Sequence, residues 1–281
     1  MTTPLHPTDL RLAPAIAQPT ASEGDNKSLT SDEPDGANPS MTRKSPRRFH
    51  VWGERCSGTH FIIKLLERNL LDAEYSEAHG HKHWVPRPGD TFAENDAGII
   101  IARDPADWAR SFHRKPWHAA PVVRARSFPR FIREEWIAGD VDGVRFVERR
   151  HERHPISGQR FANIWALRAA KLRAWCAFIP SDRRVCVNYE QAARDPQAFL
   201  AALAFRFDWR LTAHYHPVST YKGLATSDYR PRTYLPLTDA DLAFMATRLD
   251  PELEAQFGFT DFANVVALKP KSATSLPVVG H

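Results

Sequence analysis

Cysteine is scarce in this chain, with three residues, Cys56, Cys176 and Cys186, among 281. An odd and sparse set of thiols does not suggest a disulfide framework. No run of about 18 apolar residues occurs, so the sequence offers no membrane-spanning helix. The N-terminus lacks the basic region and apolar block of a secretory signal. These absences leave a soluble cytoplasmic protein as the expectation. Aromatic residues are missing before Phe49, and residues 1–46 hold seven prolines. Stretches such as Thr20-Ala-Ser-Glu-Gly-Asp-Asn-Lys-Ser bury too little apolar surface to offset the entropy of ordering. Residues 1–46 therefore read as a disordered tail, and residues 269–281 as a polar C-terminal tail. Met41 stands directly before the basic run Arg43 to Arg48, which makes it a second candidate start of translation that intact-mass measurement tests.

What remains is rich enough to fold. Hydrophobic residues make up 42% and aromatics 11% of the sequence, enough for one sizeable core in a single domain over residues 47–268. The formal net charge is +5 and unevenly placed: residues 1–46 carry 4 Lys/Arg against 6 Asp/Glu, and the rest 34 against 27. A folded part this basic favours an anionic ligand.

Phe49-His-Val-Trp52 reads as a strand and Gly53 to Thr59 as a loop, followed by Phe61, Ile62, Leu65, Leu66 and Leu70 at helical spacing. Gly98 to Ala102 is a buried-strand candidate, and Asp104-Pro105 supplies an N-cap and first-turn proline for a helix through roughly Phe112. Ile164, Leu167, Lys171, Leu172, Trp175 and Phe178 mark another helix, Val185 to Val187 a strand, and Pro196 to Phe205 a helix. Thr238 to Asp241 resembles a capping box and starts a helix through about Leu249. This alternation predicts an α/β fold, a P-loop-like three-layer sandwich with a central, mostly parallel sheet.

A strand, a glycine loop and a helix in that order make an anion site, with backbone N–H groups turned inward and a helix N-terminus behind them. Gly53 and Gly58 have the separation of the two glycines in G-x-x-x-x-G-K-(S/T). Thr59 stands where the lysine of that motif belongs and His60 where its metal-binding hydroxyl belongs. A kinase or NTPase thus loses its main charges here and remains the lesser alternative. Arg103 closes the second strand, and Ser111, eight positions on, lies about 80° around the helix from it, so a guanidinium fork and a hydroxyl can approach one phosphate. The bland counterparts are a tight turn that uses glycine for geometry and an Arg103 paired with a local carboxylate.

Other features carry weaker chemistry. His79, His81 and His83 form an H-x-H-x-H run, a poor zinc signal without paired cysteines. Cys56 near a helix N-terminus is open to a lowered pKa. From Trp108 to Arg133 seven Lys/Arg and two His occur with no acid, interleaved with Phe112, Trp117, Phe128 and Phe131. That pattern suits a flap for an anionic acceptor such as a glycan or for nucleic acid, and equally a solvated helical face with scattered core residues.

Taken together, these residues resemble the sulfotransferase superfamily that uses 3′-phosphoadenosine 5′-phosphosulfate (PAPS), in a bacterial-type branch. Cys56-Ser-Gly-Thr59 is similar to the family's 5′-phosphosulfate loop, (Lys/Arg)-Ser-Gly-Thr, and Arg103 with Ser111 matches its 3′-phosphate pair. His81-Lys-His83-Trp-Val-Pro86 resembles the K-T-H-L-P stretch that holds the catalytic base. Asn188-Tyr-Glu190 with Asp195-Pro196 resembles the segment whose tyrosine lies by adenine, and Tyr221-Lys-Gly223 the late R-K-G. The resemblance implies that Ser57, Gly58 and Thr59 cradle the phosphosulfate, that Arg103, Ser111, Lys222 and Gly223 hold the 3′-phosphate, and that Tyr189 flanks adenine. It further implies His83 as base, with Glu54 and His60 in reserve, and Arg55 and Lys82 as leaving-group stabilisers. PAPS would be the co-substrate, no metal would be needed, and the partner would be a hydroxyl-bearing acceptor, a saccharide or other small molecule, in preference to nucleic acid; a non-catalytic nucleotide- or nucleic-acid-binding relative is the further alternative. Two departures stand out: Cys56 replaces the loop cation, leaving Arg55 one position early, and Tyr221 replaces an arginine.

Overall fold

The structure, a computed structural model, describes residues 46–86, 89–139, 152–220, 227–228 and 232–260. The N-terminal tail up to residue 45, the C-terminal tail, and Tyr221, Lys222 and Gly223 lie outside them. Strands β1 (Arg48–Gly53), β2 (Glu74–Tyr75), β3 (Asp96–Ala102) and β4 (Arg184–Asn188) form one parallel sheet in the order β2-β1-β3-β4. Gly53 of β1 lies opposite Ile101 of β3, and Ala102 lies opposite Asn188 of β4. Every residue of β3 is buried, the continuous apolar pattern of a central parallel strand covered on both faces.

The described helices are α1 (Thr59–Asn69), α2 (Pro105–Arg114), α3 (Pro121–Arg124), α4 (Phe128–Arg133), α5 (Ile164–Phe178), α6 (Tyr189–Arg194), α7 (Pro196–Phe207), α8 (Asp239–Ala246) and α9 (Pro251–Ala255). Alternate strand residues point to opposite faces, and the core divides accordingly. Phe49, Val51, Ile99, Ile101, Val185 and Val187 pack with Ile62, Leu65 and Leu66 of α1 and Leu200 and Leu203 of α7. Trp52, Ile100 and Ala102 face the other way, against Leu172 and Trp175 of α5 and Leu253 of α9. The α/β, parallel-sheet expectation therefore holds.

Local signals set several boundaries. The Asp104 carboxylate accepts the Asp107 N–H at 2.9 Å, and Pro105 is the first residue of α2. At α8 the Thr238 hydroxyl accepts the Asp241 N–H at 3.2 Å. The reciprocal half of the capping box fails, because Asp is a methylene shorter than Glu. Its carboxylate takes the Thr238 hydroxyl proton at 2.8 Å and the Arg133 guanidinium instead. The helix stops at Ala246, before the expected Leu249, where the Arg248 N–H turns back onto Met245.

A further core cluster favours, for residues 108–133, the solvated face with scattered core residues over the flap, although Trp117 stays exposed and Phe128 half-buried. Trp108, Phe112 and Phe131 are fully buried together with Trp136, Trp165 and Met245. The bases between them are largely paired locally: Arg126 and Arg130 with Glu134, and Arg133 with Asp241. Burial of those rings outweighs their availability to a ligand. Among the described residues no helix is long and apolar enough to cross a membrane.

Candidate functional site

Because β1 has β2 on one side and β3 on the other, the chain diverges after β1 and β3, and their C-terminal ends open a crevice between them. Ligands of open parallel sheets settle in such crevices. The glycine loop leaves β1 there, Arg103 leaves β3, and Tyr189 leaves β4.

The loop is tightly built. Cys56 at φ +66° and Gly58 at φ +94° are left-handed on either side of Ser57. The Ser57 amide and hydroxyl both donate to the Glu54 carbonyl, at 3.1 and 2.6 Å. The Trp108 indole donates to the Arg55 carbonyl at 2.9 Å, which ties α2 to the loop. A Cβ on Gly53 would sit 2.6 Å from the Ile101 carbonyl oxygen, and one on Gly58 would sit 2.2 Å from Cδ2 of Tyr189. Close packing alone therefore demands both glycines. Helix α1 starts behind them with no side-chain cap and no acid in its first turn, so its positive end is offered to the crevice. Thr59 is buried there, and His60 is half-buried beside it.

The second anchor meets the first. The Cys56 thiol donates to the Lys115 carbonyl at 3.9 Å and lies beside the Ser111 hydroxyl of α2 and the Arg103 charge. Burial pushes that thiol up from its ordinary value, opposite to a reactive thiolate, so the lowered pKa considered for Cys56 is not what the loop produces. The Arg103 guanidinium lies 5.4 Å from the Tyr189 ring centroid, and that ring contacts the Gly58 position and stands edge-on to Phe61. Arg103 also has local carboxylates, Glu190 at 3.5 Å and Asp107 at 3.7 Å. Neither contact satisfies its Nε, which is buried with no hydrogen-bond partner among the described residues.

Beneath the loop lies a buried ionic cluster. Lys171 of α5 donates to the His83 carbonyl and to Glu152, both at 2.9 Å, and lies 3.3 Å from Glu54. Arg55 donates to the same Glu152 oxygen at 2.9 Å, and its Nε and Nη1 have no hydrogen-bond partner among the described residues. Burial raises the Glu54 carboxyl, and Lys171 offsets only part of that. Burial also works against charge on Glu152, but Lys171 and Arg55 outweigh it and hold that carboxyl well below the ordinary range. Glu54 is thus turned inward to Lys171 and is poorly placed to serve as the reserve base.

His83 is partly buried at the mouth of this cluster, and its Nδ1 lies 2.6 Å from the Gly53 carbonyl. A carbonyl accepts only, so Nδ1 carries the proton and Nε2 keeps its lone pair. Burial, and after it the Arg55 charge, holds the imidazole well below its ordinary pKa. The Lys82 carbonyl accepts the Gly53 N–H at 3.1 Å, and its ammonium lies 3.1 Å from Nε2 of His81. The stretch His81 to His83 therefore crosses the exit of β1.

His79 departs from its two sequence neighbours. It joins His50 and Asp96, whose ligand atoms all lie within 4.8 Å of one another, the described side chains best arranged to hold a metal. Asp96 already accepts from His50 at 2.8 Å, from His79 at 2.9 Å and from the Arg48 fork. Burial opposes its charge, yet these donors hold it below the usual carboxylate range.

Several site residues went unread in the sequence. Glu152 and Arg168 gave no local motif, although a lysine and an arginine within the buried stripe of α5 were a usable sign. Arg168 pairs with Glu254 through two bonds of 2.7 Å and donates to the Arg103 carbonyl at 3.0 Å. Arg110 and Tyr234, described further below, likewise carried no signal. No family model matches the chain, and neither a curated protein nor a solved structure matches it.

Proposed function

We propose that the chain is a PAPS-dependent sulfotransferase of P-loop-like architecture, moving a sulfuryl group to an acceptor hydroxyl. The observation that carries this reading is the meeting of two anion anchors in one crevice. The uncapped α1 end and its glycine loop lie against Ser111, Arg103 and Tyr189. Unsatisfied donors on Arg55 and Arg103 fit a ligand with anionic groups at both ends, since a buried unpaired donor is costly to leave unmade.

In this reading the amides of Gly58 and Thr59 take the 5′-phosphosulfate, and Ser57, whose N–H and hydroxyl both donate to the Glu54 carbonyl, shapes the cradle. Arg103 and Ser111 take the 3′-phosphate, joined by Lys222 and Gly223, and Tyr189 flanks the adenine. Nε2 of His83 accepts the proton of the acceptor hydroxyl while its oxygen attacks sulfur. The bond from sulfur to the 5′-phosphate oxygen breaks, and Arg55 and Lys82 stabilise the charge left on that oxygen. An imidazole already neutral near pH 7 needs no prior deprotonation to act. The co-substrate supplies the activated sulfuryl group, and the chain's residues position, deprotonate and stabilise.

Calorimetry with 3′,5′-ADP, ATP and 5′-AMP tests the reading. The expected result is a clear preference for 3′,5′-ADP that Arg103→Ala removes. Tighter binding of magnesium-ATP would favour a nucleotide triphosphatase, and equal affinity for 5′-AMP would remove the proposal's support.

A further inference from the structure

The resemblance assigns one guanidinium from this part of the chain, but the structure holds two together. Arg110 lies on α2 directly before Ser111. Its Nη2 meets Oδ1 of Asp107 at 2.5 Å, while Oδ2 of the same carboxylate lies 3.7 Å from Nη2 of Arg103. The Tyr234 ring faces both cations, with Cζ of Arg103 5.9 Å and Cζ of Arg110 5.4 Å from its centroid. Two like charges therefore share one carboxylate and one aromatic face. Their side chains are only 13% and 19% exposed, and each has a buried Nε with no hydrogen-bond partner among the described residues.

Such a pair is incompletely satisfied by what surrounds it. The Arg103 contacts to Asp107 and Glu190 are ion-pair separations beyond good hydrogen-bond geometry. Arg110 spends one terminal nitrogen on Asp107 and another on the Leu235 carbonyl. The ligand chemistry that two adjacent forks recognise best is a dianionic phosphomonoester, whose oxygens accept from two sides at once. A singly charged sulfate or phosphodiester has less charge for a second fork to meet.

We infer that Arg110 and Arg103 together bind the terminal phosphomonoester of the nucleotide, with Tyr234 as the wall of that subsite. The inference rests on the nucleotide reading above and adds to it a residue that sets specificity. Arg110 then supplies a second cation close to Arg103.

The test compares wild type, Arg110→Gln and Arg110→Lys by calorimetry against 3′,5′-ADP and 5′-AMP, with circular dichroism confirming the fold. Losing a charge-assisted fork on a dianion is expected to weaken 3′,5′-ADP about tenfold or more while leaving 5′-AMP unchanged. Arg110→Lys keeps the charge and the Asp107 pair, so it remains folded and loses part of the selectivity. Should wild type prefer 3′,5′-ADP while both variants keep that preference in full, the Arg110 assignment is overturned and the nucleotide reading survives. Wild type binding the two ligands equally overturns both.

Discussion

Replacing Lys171 with methionine separates charge from shape at the base of the crevice. The unbranched thioether fills much of the same space. The ammonium that meets Glu152 at 2.9 Å, Glu54 at 3.3 Å and the His83 carbonyl at 2.9 Å is lost. Among the described residues, Arg55 is then the cation that stays beside the two buried carboxylates. Removing one partner from a buried ionic cluster costs about 3–5 kcal/mol, a large part of a typical total of about 5–15 kcal/mol. The loss carries a pH signature. Burial already holds Glu54 above its ordinary value, and without Lys171 it rises further. A carboxyl raised on folding destabilises at pH above its unfolded pKa and ceases to do so below it. Glu152, depressed on folding, contributes stability above the unfolded pKa that is lost as pH falls through the folded one, and without Lys171 that contribution shrinks. Both effects make Lys171→Met more damaging at about pH 7 than at about pH 4.5. Urea melts of wild type, Lys171→Met and Lys171→Met/Glu54→Gln at both pH values measure this, and the added Gln is expected to restore part of the neutral-pH loss. Equal destabilisation at the two pH values, with no recovery from Gln, would refute the electrostatic account.

Burial and then Arg55 hold His83 below its ordinary pKa, and the neutral ring is the reactive form. Under the proposed sulfuryl transfer, the acidic limb of kcat/KM is therefore expected to lie below the ordinary imidazole value of about 6.5, and a limb centred at or above that value counts against His83 as base. Gly58→Ala combines left-handed strain of about 1–2 kcal/mol with about 1–3 kcal/mol of overpacking against Tyr189. Thermal melts should show that adding Tyr189→Ala relieves the second part, whereas strict additivity would mean no clash. Trp108→Phe leaves the buried Arg55 carbonyl without its donor; chemical denaturation is expected to show a loss of about 1–3 kcal/mol, accompanied by weaker nucleotide binding as the loop loosens.

The parts of this fold legible in the sequence are those written in contiguous residues. Gly98 to Ala102 is apolar throughout because β3 lies between two helical layers, and Asp104-Pro105 marks a helix start by its own chemistry. The two-residue β2 is too short to carry a period. The ionic cluster was hidden for another reason: Arg55 and Glu152 are 97 positions apart, and Lys171 and Glu152 are 19 apart on different elements. Lys171 was read as one more member of the α5 stripe, and its charge was the clue to buried partners. The interval from Trp108 to Arg133 is ambiguous in sequence for a different reason. Its basic residues fit an open surface while Phe112 and Phe131 follow helical spacing into a core, and the acids that pair with Arg110, Arg126, Arg130 and Arg133 lie just outside that interval or far along the chain.

The fork that Arg168 extends to Glu254 gives the last described helix an influence out of proportion to its length. Helix α9 has five residues, too few to persist by themselves in water, so it stays in place through that pairing and the burial of Leu253. Arg168 also holds the backbone oxygen of Arg103. Trimming the chain ahead of Glu254 would strand a cation in the interior directly under the C-terminal end of β3. Under the proposed function the injury would then surface as failed nucleotide recognition at the crevice, far in sequence from the cut.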